Sequence, residues 1–416
     1  MRLLVYSHDA YGLGNIRRML AICEHLLSEM EDLSILLVSG SPMLQGFRLP
    51  QGLDYIKLPC LNRGETGKIA VKYLGTNVEE TVKLRSDLIL SAISNYKPDL
   101  VMVDKKPYGL EDELRQSINY IKHKLPQTKL VLLLRDILDT PEKTITEWRD
   151  RGYYQAIDRF YDLLLIVGMP EVFDFCKKYQ FSANIAPKIR YCGYIRRQSI
   201  NNNISQINQE LERNSGESLV LVTPGGGQDG YHLLNTYLDG LALLPPEKQF
   251  KSLLLCGPEM SAPRKQALFQ KAQKYSQVRM KEFTDDLMSY ISASDVIVSM
   301  AGYNTVCEIL SAAKPALIVP RAQPSQEQLL RAARMNRLGL FPVIHPRNLT
   351  PKLLMNSLVN LVFTNDFAPS IQLDMNALPR ISHYISRLLS IKISESKVSY
   401  LEHQKNRKLS IAKICT

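Results

Sequence analysis

Short apolar runs recur along the chain, separated by stretches whose apolar positions fall at helical spacing. In the first half the runs are residues 3–6, 34–38, 100–103, 130–134 and 163–167, rich in Val, Ile and Leu. Amphipathic helices are predicted between them, as at 16–30 and 111–124. Strands that are apolar throughout, rather than alternately, fit a parallel sheet covered by helices on both faces. The alternation restarts at 219–223 and continues through 252–256, 278–282, 296–298 and 316–319, with later helices predicted at 353–363 and 375–389. Between the two series, residues 198–217 are rich in Asn, Gln and Ser and read as a linker, partly helical around 204–211. The pattern therefore predicts an α/β protein with a first domain over 1–197 and a second over 218–374. A further helix is expected over 375–392, and 393–416 forms a basic tail.

Residues 296–339 carry the densest signal: strand, tight turn, helix, strand, polar loop and helix. Ser299, Met300, Ala301 and Gly302 turn into a helix with apolar Val306, Ile309 and Leu310. Pro320 stops the next strand. The last helix begins near Ser325, with Gly339 as its C-cap. Such a unit brings both strand ends to one sheet edge, where open α/β sheets bind ligands. A small-residue turn into a helix offers backbone N–H groups and a positive dipole end to an anion. With Glu308 and Gln328 beside it, the unit suits a sugar-phosphate ligand.

The pattern of Gly302, Thr305, Glu308, Pro315, Pro320, Gln326, Gln328 and Gly339 resembles the nucleotide-sugar half of GT-B glycosyltransferases. The nearest resemblance is to the bacterial peptidoglycan-precursor (MurG-like) N-acetylglucosaminyltransferases, with their glycosyltransferase family 28 C-terminal domain. It implies two Rossmann-like domains facing across a cleft, with the helix over 375–392 returning to the first domain. It also implies that Glu308 binds the ribose hydroxyls of UDP and that Gln326 and Gln328 hold the donor sugar. A plain βαβ unit with Glu308 on a solvated helix face is the alternative. Pro224 is followed by Gly225, Gly226 and Gly227 between a strand and a helix, a turn suited to a diphosphate. The resembling enzymes carry a Gly-rich loop there.

The first strand ends in Ser7, His8 and Asp9, and Gly12, Gly14 and Asn15 lead into a helix. The resemblance places this loop in the cleft against the acceptor, with Asn15 where the family usually has histidine. Either His8 or Asp9 is positioned to act as general base on an acceptor hydroxyl. The other reading is that both hydrogen-bond the turn while Asn15 caps the helix. Asp104 and Asp136 end two further strands and either face the acceptor or cap the next helix. Residues 64–68 superficially resemble a P-loop without its spacing, and read as part of a long polar acceptor-side connection over 60–76.

Composition changes the picture little. Of 416 residues, 45% are hydrophobic and 22% charged, ordinary for a globular protein of two or three domains. The seven cysteines form no CxxC pair, which argues against a zinc site and for a reducing compartment. Residues 3–6 are too short for a secretory h-region, and no run reaches membrane-span length. A cytoplasmic location is expected, with contact at the inner face of the membrane as an option. The net charge of +11 lacks the aromatic-interleaved motifs of nucleic-acid modules, so anionic substrates are favoured and nucleic acid is not expected. The tail reads first as solvated, second as a basic membrane or partner segment.

The expectation is therefore an inverting glycosyltransferase that takes a UDP-sugar such as UDP-GlcNAc and needs no cofactor or metal, since no DxD-like signature ends a strand. Its acceptor is left open between a lipid-linked precursor, a glycolipid and a small metabolite. A UDP-N-acetylglucosamine 2-epimerase and a non-catalytic GT-B-shaped binding subunit are the rival readings.

Overall fold

The computed structural model describes residues 1–8, 14–63, 68–197, 204–364 and 373–390. In chain order the first half gives β1 (Arg2–Ser7), β2 (Ser34–Ser39) and β3 (Leu53–Lys57), then a small antiparallel hairpin of β4 (Leu61–Arg63) and β5 (Ile69–Val71). It continues with β6 (Leu100–Asp104), β7 (Lys129–Arg135), β8 (Leu163–Val167) and β9 (Ile189–Tyr191). The second half gives β10 (Leu219–Thr223), β11 (Lys251–Leu255), β12 (Val278–Lys281), β13 (Val296–Ser299) and β14 (Ala316–Ile318). Apart from the hairpin, all pairings between these strands are parallel, in two sheets of order β3-β2-β1-β6-β7-β8-β9 and β12-β11-β10-β13-β14. In each sheet the chain winds outward one way and then the other. The reversal leaves a crevice between β1 and β6, and another between β10 and β13.

Both faces of each sheet are covered, as the continuous apolar strands predict. Leu3 and Val5 pack with Ile16, Met19 and Cys23 of the helix Gly14–Glu29, while Leu4 and Tyr6 pack on the opposite face with Ile89 and Ile118. In β10, Leu219 and Leu221 join the same cluster as Leu3, and Val220 and Val222 face Leu234 and Leu238. One apolar cluster thus runs unbroken from the first sheet into the second. The helix Ala377–Leu388 joins this cluster through Ile381 and Ile385. Its approach is fixed by hydrogen bonds from Tyr194 N to Asp374 O (2.7 Å) and from Ala377 N to Tyr194 O (3.1 Å).

Local structure departs from the pattern where polar groups are recruited inward. The helix expected from 111 begins at Arg115, after a 3-10 turn in which Glu111 and Asp112 have positive φ (45° and 62°). Glu113 is instead drawn into the core: Arg85 donates to it through Nε (2.5 Å) and Nη2 (2.6 Å), and the Tyr6 hydroxyl donates at 2.5 Å. The edge strand β3 and the hairpin went unread because LDYIK and residues 60–76 are too polar for an apolar-run criterion. Asp286 caps the helix Leu287–Ala293, accepting from Ser289 N at 3.2 Å. Within the stretch read as a linker, the helix Ile204–Glu210 buries Ile207, and Arg213 reaches Asp295 at 2.6 Å. That segment is docked on the second domain. The tail 393–416 lies outside the described residues.

The domains meet through a buried ion pair. Asp136, just beyond β7, accepts two bonds from Arg331 (Nε to Oδ2 2.9 Å, Nη2 to Oδ1 2.7 Å), and both side chains are fully buried. Arg331 Nη1 donates to Ala301 O (2.7 Å), and the Tyr194 hydroxyl donates to Asp136 (3.1 Å). Removing one member leaves the other buried and uncompensated, at a cost of about 3–5 kcal/mol. Arg331→Met is therefore expected to lower stability by roughly that amount in urea unfolding followed by circular dichroism. The double variant Asp136→Leu with Arg331→Met is expected to recover most of the loss, since apolar residues of similar size replace such pairs well.

Candidate functional site

Both crevices open into one cavity of about 480 Å³ between the domains. The second domain contributes the turns after β10 and β13. Gly227 has φ +93°, and a Cβ there would lie 2.2 Å from Cys256 O. A Cβ on Gly257 would lie 2.5 Å from Gly226. The turns after β10 and β11 therefore touch backbone to backbone, which only glycine permits. Gly225, Gly226, Gly227 and Gly302 all line the cavity. Gly302 caps the helix Tyr303–Ala312 and has an ordinary φ of −64°.

Gln328 also lines the cavity, its Oε1 accepting from Arg321 N at 3.1 Å. Gln326 does not: it is exposed, and its N–H donates to Asp139 of the first domain (3.0 Å). Glu308 lies in the second turn of its helix, 1% exposed and behind the cavity wall. Arg17 Nη2 sits 2.9 Å from its Oε1. The pair is not aligned as a hydrogen bond, and both carboxylate oxygens of Glu308 are buried without one. Sequence reasoning did not foresee that a first-domain arginine covers the glutamate.

The first domain contributes Gly14 and Asn15 at the start of the helix Gly14–Glu29. Gly14 O accepts from Asn304 of the second domain (2.8 Å). Asn15 donates through Nδ2 to His8 O and accepts from Arg18 Nη2 (3.2 Å). Its amide ties the strand end to the helix. Asp104 and Asp136 face neither the cavity nor a helix N-terminus as caps. Asp104 holds Arg18 (2.6 Å) in the interior, and Asp136 holds Arg331. Asp9, Gly12 and residues 64–67 lie outside the described residues.

His8 is 1% exposed, and its Nδ1 has no hydrogen-bond partner. Burial, and then the positive charges of Lys105, Lys106, Arg85 and Arg135, hold its pKa well below the usual value. It is a neutral imidazole at pH 7, the form a general base requires. Residues that the sequence did not single out complete the site: Lys105 and Lys106 after β6, Arg135 at the end of β7, and Arg321 and Glu327 in the loop and helix after β14. Burial works to raise the pKa of Glu327, but Arg135, Arg331, Arg321 and Lys105 overcome it and hold the carboxylate below its usual range. The signal for this basic wall was the +11 charge, which gives no positions. Among the described residues, no helix is long and apolar enough to cross a membrane.

The depressed pKa of His8 makes a stability prediction. The unfolded imidazole binds a proton near pH 6.5 and the folded one does not, so stability is complete above that value and falls as pH drops below it. The slope is up to about 1.4 kcal/mol per pH unit until the folded pKa is reached. His8→Gln is expected to remove this component, so its unfolding free energy relative to the wild type should improve between pH 6.5 and 5.5. Parallel curves would show that His8 is not held neutral.

Residues 219–381 match the family model for the glycosyltransferase family 28 C-terminal domain. A protein of Haemophilus influenzae, "UDP-N-acetylglucosamine--N-acetylmuramyl-(pentapeptide) pyrophosphoryl-undecaprenol N-acetylglucosamine transferase", is 25% identical over 187 residues, 44% of this chain and 51% of the relative. The match thus spans about half the length of that relative. Among solved structures, Acinetobacter baumannii MurG superposes with a TM-score of 0.57 at 15% identity, covering 93% of this chain and 99% of that one. The UDP-GlcNAc 2-epimerase of Methanocaldococcus jannaschii superposes with a TM-score of 0.60 at 11% identity, covering 93% and 100%. The chain has the GT-B fold, and its residues 219–381 match the glycosyltransferase family 28 C-terminal domain.

Proposed function

We propose that the protein is a glycosyltransferase that moves a sugar, of the UDP-GlcNAc class, from a nucleoside-diphosphate donor to an acceptor hydroxyl with inversion. The observation that carries this reading is the meeting of both crevices in one cavity. Glycine turns of a family 28 domain form one side and a basic wall forms the other. The diphosphate rests against Gly225, Gly226 and Gly227, where backbone groups and the dipole of the helix Tyr231–Leu241 favour negative charge. Gln328, which lines the cavity, is assigned to the donor sugar, and Glu308 to the ribose. Glu308 takes that role when Arg17 gives way, because the ribose hydroxyls and the guanidinium compete for the same carboxylate.

The acceptor enters beside Gly14 and Asn15. Its oxygen attacks the anomeric carbon as the bond from that carbon to the diphosphate oxygen breaks. The hydroxyl proton passes to His8 or Asp9, and the departing charge is met by fixed dipoles. Such a donor supports a cytoplasmic location. A lipid-linked acceptor, as in the printed name of the Haemophilus relative, would bring it to the inner face of the membrane.

Thermal unfolding with a nucleotide panel tests the donor half. UDP at about 100 times its Kd is expected to add roughly 2.7 kcal/mol and raise the Tm by several degrees. Glu308→Gln should weaken UDP about tenfold, the value of one lost hydrogen bond to a charged group, while pyrophosphate binds unchanged. No shift with any nucleotide would sink the reading. Conversion of UDP-GlcNAc to UDP-ManNAc without acceptor would favour the epimerase instead.

A further inference from the structure

The cations lining the cavity are nearly all spoken for. Arg17 faces Glu308 (2.9 Å), Arg18 faces Asp104 (2.6 Å) and Lys106 faces Glu147 (2.5 Å). Arg135 faces Glu327 (2.7 Å), Lys143 faces Asp139 (2.7 Å) and Arg321 faces Asp229 (2.9 Å). Lys105 lines the same cavity, and among the described residues its ammonium has neither an ion pair nor a hydrogen bond. Only its backbone is bonded, with N donating to Leu133 O at 2.9 Å.

The backbone at Lys105 is itself unusual. It follows β6, at the crevice where the first sheet reverses, and has φ +74°. A left-handed conformation in a residue other than glycine is strained and persists where surrounding structure enforces it. An uncommitted cation on an enforced turn, at a sheet's switch point, is placed for a ligand.

We propose that Lys105 is the cation by which the first domain grips the diphosphate of a ligand lying against Gly225, Gly226 and Gly227. The inference rests on the glycosyltransferase reading and adds to it a residue from the opposite domain. Arg321 and Glu327 join the two walls: Arg321 reaches Asp229 of the glycine turn, and Glu327 pairs with Arg135 beside Lys105. A diphosphate there meets one ammonium that need not break an existing pair, whereas each neighbouring cation would have to. Lys105 would also stabilise the charge that develops on the leaving diphosphate as the sugar departs.

A proton accompanies the ligand. The groups that act on Lys105 are Arg135 on β7, Lys106 beside it, Glu327 from the second domain and Asp104 on β6, and Lys105 in turn acts on His8. Burial first, then Arg135 and Lys106, push its pKa down to about 8, with Glu327 and Asp104 opposing. An incoming diphosphate raises it again. Affinity is therefore full below pH 8 and falls above it, by up to tenfold per pH unit, until the pKa of the bound state is reached.

Titration calorimetry with UDP from pH 7 to 9.5, in two buffers of different ionisation enthalpy, tests this on the whole chain. This range lies above the last ionisation of the phosphate, and the proton exchanged by the uracil N3–H at its alkaline end is measured with uridine in parallel and subtracted. Wild type should take up close to one proton at pH 9 and almost none at pH 7. Lys105→Met should bind UDP at least tenfold more weakly at pH 7 and lose the proton uptake, with uridine binding unchanged. Lys105→Arg keeps the charge without titrating in this range, so it should hold its affinity and show no uptake. Equal UDP affinity in wild type and Lys105→Met, or uptake that survives in Lys105→Arg, overturns the proposal while leaving the transferase reading intact. Absence of UDP binding to wild type overturns both.

Discussion

The pair of Asp136 and Arg331 is the constraint on which the site depends. Taking two charges out of water costs several kcal/mol for each ion, which only close geometry and further hydrogen bonds offset. Here the arginine meets its carboxylate twice and a backbone carbonyl once, and the carboxylate also accepts from Tyr194 and from Ile137 N. Space for it is made by Gly168, where a Cβ would lie 2.6 Å from that of Asp136. The carbonyl is that of Ala301, one residue before Gly302. The end of β7 in one domain thereby sets the position of the ligand-facing turn in the other. Domain placement and site geometry are a single interaction.

Around it the interface is polar and specific rather than merely apolar. Tyr303 stacks on Tyr194 with ring centroids 6.0 Å apart, and Arg18 and Arg331 approach its ring at 5.9 and 5.7 Å. Asn304 bonds Gly14, Ser311 accepts from Arg197 N (2.8 Å), and Arg135 meets Glu327. Apart from the approach of Arg331, each contact joins a residue of the first domain to one of the second. In the proposed complex the ribose would compete with Arg17 for Glu308, which would couple ligand binding to domain contact.

The electrostatics follow from where acids were placed. Asp104 and Asp136, which end strands at the ligand-facing edge, neutralise arginines in the interior and leave the cavity. The wall between them keeps Lys105 and its neighbours. The neighbouring cations lower the pKa of both His8 and Lys105 by like-charge repulsion added to burial.

Much of the architecture was legible in the sequence because strand burial on two faces and helical periodicity are local properties. The runs at 3–6, 100–103, 219–223 and 296–298 locate the sheet centres, and the glycines at 225–227 and 302 mark the turns that reach the cavity. The polar edge strand β3, the turn at Glu111 and the docked helix at 204–210 were hidden or blurred, because distant partners stabilise each. Side-chain roles were hidden most. A strand-end aspartate reads the same whether it faces a substrate or an arginine two hundred residues away, and only the fold brought Arg331 to Asp136 and Arg17 to Glu308. Sequence determines which segments become sheet and helix through short-range sterics and burial. The pairing of charges is decided by tertiary structure, because Coulomb partners are chosen by distance in space and by the water that folding removes.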